Sequence, residues 1–195
     1  MDDQDDKRTF VYRIDTGDEI TFVDDEWLRF AQENEAGELT RERVVGTSVH
    51  EFIADEETSA IYHFLLDKVR TDGAPVQVPF RCDSPDCRRH MSMGMAPLAG
   101  GQVEIRSRLN RLEPRDPVSL LDAREDRSDE LVRMCGWCKK IELDAQAWVE
   151  VEEGIRTLGL LDAFHPPGLT HGICPSCRDH LYRTEPELQY LRRRS

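Results

Sequence analysis

Apolar residues along the first 112 positions keep two rhythms in turn. FVYRIDTGDEITFVDDEWLRFAQENE, residues 10–35, alternates at period two around the turn residues Asp15 to Asp18, which predicts two short strands; Trp27, Phe30 and Ala31 then share one face of an amphipathic helix. VVGTSVHEFI, residues 44–53, reads as short helical turns. ETSAIYHFLLDKVRTDG is a longer helix that ends at Gly73, with Ile61, Leu65, Leu66 and Val69 along one stripe. PVQVPFRCDS, RHMSMGMAPL and QVEIRSRLNRL read as three successive strands, the last two joined by a Gly100–Gly101 turn. The predicted order is therefore two strands, several helices and three strands.

The rhythm breaks over EPRDPVSLLDAREDRSDE, residues 113–130, where two prolines and seven acidic residues surround a short apolar knot of Val118, Leu120 and Leu121. An acidic linker over 114–130 is predicted, its LLD able to dock on either flank. Beyond it, AWVEVEEGIRTLGLLDAF is apolar at helical spacing, with Trp148, Val151, Ile155 and Leu158 on one side, and reads as core. The division is a disordered tip over 1–9, a first domain over 10–113, the linker, and a second domain over 131–195.

Composition adds two constraints. No apolar run in the 195 residues approaches the roughly 20 that a membrane helix needs, and the acidic start MDDQDDKRTF lacks the basic end and apolar stretch of a secretory signal. A cytoplasmic protein with no membrane partner is expected. Of 26 basic and 39 acidic residues, residues 131–195 carry nine of each, so the whole net charge of −13 lies in residues 1–130. That surface repels phosphate backbones. Arg178, Arg183 and the Arg192 to Arg194 run leave nucleic-acid binding by the second domain as an alternative.

The element order, with the phrases YRID, EITFVDDEW, VVGTSVHEFI, VRTDG and PVQVPFRCDSPDCRRHMSM, resembles a bacterial PAS sensor domain over residues 10–112. The resemblance implies a five-stranded antiparallel sheet in the order 2-1-5-4-3, with helices over one face and often a small-molecule cavity between the layers; it also implies dimerisation through that domain as a candidate. A flavin-photoadduct PAS domain carries a reactive cysteine on a mid-domain helix, and VVGTSVHEFI has none. A haem PAS domain offers a histidine from the long helix, but His63 lies about 130° from the centre of the apolar stripe and is expected to face solvent. His50 is expected to be a partly exposed residue near a helix end. The ligand stays unnamed.

Six cysteines supply the candidate chemistry. Cys82 and Cys87 flank a strand connection and read as free thiols, with Arg81, Arg88 and Arg89 close enough in sequence to make redox sensitivity testable. MCGWCKKI and HGICPSCRDHLY place Cys135 and Cys138, then Cys174 and Cys177, in two C-x2-C pairs separated by 35 residues. Four thiolates match a tetrahedral Zn²⁺ site, although the gap exceeds the usual ~15–20 residues. Gly136 is expected to ease the first turn, Pro175 to open a helix begun at Cys174, and Lys139, Lys140 and Arg178 to offset the excess charge. His171, three residues before Cys174, is a candidate substitute ligand, with an outer or turn hydrogen bond as its default role.

CGWCK also resembles the active-site turn of thioredoxin-like proteins. That motif needs a buried strand upstream, and DAREDRSDELVRM is too acidic to be expected as one. An iron–sulfur cluster is the remaining metal alternative. The combined pattern C-x2-C-K-K-I, W-x-x-V-E-E and T-H-G-I-C-P-x-C is similar to a zinc-binding tail of bacterial PAS-containing signalling proteins. The expected fold is α+β: a PAS-like sheet with capping helices, followed by a treble-clef-like structural-zinc domain. No catalytic carboxylate pair, nucleophile elbow or phosphate-cradling loop is present, so a non-enzymatic sensor or adaptor that acts by protein contact is expected.

Overall fold

Alternation of apolar and polar positions builds the first sheet from β1 (Thr9–Ile14), β2 (Ile20–Val23), β3 (Val76–Arg81), β4 (Cys87–Pro97) and β5 (Val103–Pro114). The computed structural model describes residues 8–34, 36–53, 55–144, 147–161 and 165–184. All four pairings are antiparallel and the strand order is β2-β1-β5-β4-β3, the order that the PAS resemblance implies. Thr9 already belongs to β1, and residues 1–7 of the expected tip lie outside the described residues.

Between β2 and β3 run α1 (Asp25–Glu33), the short α2 (Arg41–Val44), a single helical turn at Val49–Phe52, and α3 (Glu56–Asp72). Asp24 and Asp55 cap α1 and α3 by accepting N–H groups of the first turn. Gly73, at φ 64°, ends α3 in the left-handed conformation that favours glycine. The predicted stripe of α3 is buried: Ile61, Leu65, Leu66 and Val69 pack on Ile14, Val78, Met93, Met95 and Ile105 of the sheet.

The acidic stretch after β5 is ordered. Val118 and Leu120 are buried at a helical turn over Ser119–Leu121, in a small cluster with Met134, Ile141 and Val151. Arg127 holds the segment by donating to the carbonyls of Leu120, Asp122 and Pro167. A second sheet follows from β6 (Ser128–Cys135), β7 (Ile141–Glu142), β8 (Trp148–Val149) and β9 (Pro167–Gly172), in the order β8-β7-β6-β9 with β6 and β9 parallel. Between β8 and β9 lies α4 (Val151–Thr157), and α5 (Pro175–Thr184) closes the described chain.

Two expectations fail here. The acidic segment upstream of Cys135 is an interior strand, paired with β9 from Leu131 to Cys135 and with β7 at Met134; the exposed Asp129 and Glu130 fall where the register shifts, and only Met134 and Cys135 are buried. Trp148 lies on β8 instead of sharing a helix with Val151 and Ile155, and Leu158 is exposed.

The two sheets share one core. Cys135, Trp137, Ile173, Cys174 and Leu181 pack in the same apolar cluster as α3 and the inner face of the first sheet. The free edge of β3 is met by Trp137, whose carbonyl accepts from the Arg81 N–H at 2.8 Å.

Candidate metal centre

Each cysteine pair sits where a chain reversal follows a strand or starts a helix. At the end of β6 the Cys135 N–H donates to the Lys140 carbonyl at 2.7 Å and the Lys139 N–H returns to the Cys135 carbonyl at 2.9 Å. Lys139 takes the left-handed conformation, φ 62°, and its ammonium donates to the Gly136 carbonyl at 2.8 Å. Gly136 is therefore not the residue that makes the bend. A Cβ at Gly136 would stand 2.9 Å from Thr58 Oγ1 and 3.5 Å from Asp55 Oδ2, so the glycine permits the knuckle to press on the start of α3.

The second pair uses the helix as predicted. Pro175 opens α5, and Cys174 caps it with sulfur: the Cys177 N–H donates to Cys174 Sγ at 3.4 Å. The Cys174 N–H donates to Cys135 Sγ, also at 3.4 Å.

The four sulfurs of Cys135, Cys138, Cys174 and Cys177 lie within 4.8 Å of one another, and Cys138 Sγ is 3.6 Å from Cys174 Sγ. A tetrahedron of Zn–S bonds near 2.3 Å sets its sulfurs about 3.8 Å apart, so the donor set fits the ion. Such crowding divides the thiols. Cys138 donates to Cys135, whose pKa falls to about 6, while the Cys138 thiol is pushed up by the same contact. Cys174 is held low by donation from Cys135, and Cys177 is raised by the sulfurs around it. Full ionisation of the cluster thus needs a compensating cation.

The other candidates are not at this centre. His171 lies on β9 opposite Met134 and is outside the sulfur cluster; burial, then the Lys139 charge, lowers its pKa. Cys82 and Cys87 flank the β3–β4 turn, which is closed by the Ser84–Cys87 bridge, and burial pushes the Cys82 thiol up. Arg178 is half-buried on α5, and Arg192 to Arg194 lie outside the described residues.

Charged contacts bind the thiolate region to the first sheet. Glu57, in the first turn of α3, accepts the Ile173 N–H at 2.7 Å and pairs with Arg133 at 3.1 Å. Arg81 reaches Glu150 at 2.7 Å, and Arg88 reaches Glu152 at 2.7 Å. Beside Cys138 and Cys177, a cleft of about 380 Å³ opens between Phe80, Met91, Trp137 and Lys140. The cavity under the helices of the first sheet is smaller, about 160 Å³ between Tyr12, Trp27, Phe52 and Tyr62. Sequence reasoning did not find the cleft, since its walls come from separate parts of the chain.

No protein-family model matches the chain, and neither does a curated protein. Solved structures do. A sensory box sensor histidine kinase from Vibrio cholerae is 9% identical with a TM-score of 0.39, over 51% of this chain and 80% of that one. The PAS domain of Bordetella pertussis BvgS is 15% identical with a TM-score of 0.36, over 51% of this chain and 70% of that one. An RNA-binding Light-Oxygen-Voltage receptor is 14% identical with a TM-score of 0.39, over 52% of this chain and 27% of that one. Among the described residues no helix is long and apolar enough to cross a membrane.

Proposed function

We propose that the chain is a cytoplasmic, non-enzymatic sensor or adaptor in which a PAS-like sheet and a treble-clef-like structural-zinc unit act as one relay. Cys135, Cys138, Cys174 and Cys177 would hold Zn²⁺, and the ion would supply the charge that lets four thiolates share one site. The carrying observation is that Cys135 and Cys174 lie in the same apolar cluster as Leu65 and Met95. A change at the thiolate region therefore reaches α3 through packed side chains and the Glu57 to Ile173 hydrogen bond.

Input has two candidate entries, the small cavity under the helices and the larger cleft beside Cys138 and Cys177. The cleft is within the range of about 300–1,000 Å³ typical of small-molecule sites, and the cavity is below it. Output is by contact with a partner protein or by dimerisation of the PAS-like part.

Native mass spectrometry of the full chain is expected to report one zinc. Hydrogen exchange before and after chelation then tests the relay: loss of the ion is expected to raise exchange in α3 as well as in residues 128–184. A metal-free mass removes the zinc reading, and exchange changes confined to residues 128–184 remove the relay.

A further inference from the structure

Away from the cysteines, three elements bring a second set of ligand atoms together. Asp18 ends the β1–β2 turn, His50 lies on the single helical turn before α3, and His63 lies on α3. Asp18 Oδ2 is 3.0 Å from His50 Nε2 and 3.9 Å from His63 Nδ1, and all three ligand atoms fall within 4.8 Å of one another. The two imidazoles stack, with centroids 3.7 Å apart and planes at 19°. Both rings therefore present a nitrogen to the same carboxylate oxygen.

We infer that Asp18, His50 and His63 form a solvent-open site for a first-row divalent cation, separate from the four thiolates. Two imidazoles and one carboxylate oxygen are a donor set that takes Zn²⁺, Ni²⁺ or Cu²⁺, with the remaining positions open to water. The His63 side chain is 59% exposed, which gives an ion a way in. Asp18 is fixed for the task from behind. Its Oδ1 accepts from Arg70 at 2.7 Å, and the same guanidinium donates to the Asp15 carbonyl at 2.7 Å, so Oδ2 is the oxygen turned to the rings. A ligating carboxylate is commonly oriented by such an outer partner. Asp18 also holds a left-handed backbone, φ 63°, which aspartate tolerates better than most residues.

Two costs and one gain set the strength. His50 Nδ1 is buried without a partner, so in the ion-free protein the ring proton belongs on Nε2, facing Asp18; a metal at Nε2 displaces it to the buried side. Arg70 adds one positive charge nearby, against the net acidity of residues 1–130. The site is thus weaker than a four-thiolate one and answers to free metal, which fits an input more than a structural part.

Ni²⁺ titrated calorimetrically into the full, zinc-loaded chain tests this, with His63→Gln and Asp18→Asn as variants. His63 is exposed, and asparagine tolerates the left-handed backbone at position 18, so both variants keep the fold. One equivalent is expected to bind, with affinity at least tenfold lower in either variant and unchanged in His90→Gln. Paramagnetic broadening of the His50 and His63 ring protons is expected to accompany binding. Equal affinity in wild type and His63→Gln, broadening centred on other histidines, or no heat up to about 1 mM Ni²⁺ overturns the site. Zinc retained by the protein after the titration, read by native mass spectrometry, reports on the thiolates alone, so the two centres can fail independently.

Discussion

The two sheets are held together by different means. The first has strands of up to 12 residues and a continuous inner face in which Ile14, Met95, Val103 and Ile105 are fully buried. The second has two strands of only two residues, and its own buried cluster is five side chains: Val118, Leu120, Met134, Ile141 and Val151. Burial of that size is small beside the ordering of some 60 residues. Yet the second sheet sets Cys135 and Cys174 into the core of the first. A part with little core of its own can be fixed by a closed thiolate cluster and a borrowed core.

That contrast breaks most visibly at Leu65, which is fully buried in the shared cluster. Leu65→Ala is expected to cost about 2–5 kcal/mol, read as a lower urea midpoint. In chains that carry Trp27→Phe and Trp148→Phe, so that Trp137 is the one tryptophan left, far-UV circular dichroism and Trp137 fluorescence are expected to follow one transition with and without Leu65→Ala. Separate transitions for the two probes would mean that the sheets fold apart and that the shared cluster carries no coupling.

A narrower test acts at the contact and leaves both cores alone. Gly136→Ala puts a methyl 2.9 Å from Thr58 Oγ1 and is expected to cost about 1–3 kcal/mol through that overlap. Thr58 Oγ1 is buried without a partner, so Thr58→Ala in the same chain is expected to recover most of the loss. Failure of the double variant to recover would place the cost in the backbone of the knuckle instead of the contact.

Much of this was legible in the sequence, for physical reasons. The α3 stripe and the run of strands and helices follow from periodicities of 3.6 and 2, which are local, and the glycine cap from Gly73 at the stripe's end. The strand order is what the PAS resemblance implies, since it pairs β1 with β5 across about 90 residues. The gathering of the four cysteines follows from two C-x2-C turns that each set a pair of sulfurs side by side. What stayed hidden depends on contacts across long separations. Gly136 was read as a bend residue, but Lys139 takes the bend, and the glycine answers to Thr58, 78 positions away. The run before Cys135 was expected to be too acidic for a buried central strand; it is an interior strand, yet only Met134 and Cys135 of it are buried, because charge count speaks to burial and not to pairing. His63 faces solvent as expected, but nothing local announces that Asp18 and His50 arrive beside it.

The smallest expected effect lies in the ion pairs along the seam. Burial raises the Glu152 pKa, but a backbone N–H and the Arg88 and Arg115 guanidinium groups outweigh it, and the carboxyl sits below its ordinary value. A depressed carboxylate stabilises the fold above its unfolded pKa of about 4.3, and that contribution fades as pH falls through the folded value. The pair is partly exposed, so Glu152→Gln is expected to cost less than about 1 kcal/mol at pH 7. Urea midpoints of variant and wild type are then expected to converge as pH falls from 7 through the folded pKa of Glu152, with the wild type losing the advantage. A difference that persists once Glu152 is protonated in the folded protein would show that shape and packing at Glu152, and not its charge, hold this part of the seam, and would make the contact between the two sheets as apolar in its energetics as the core beneath it.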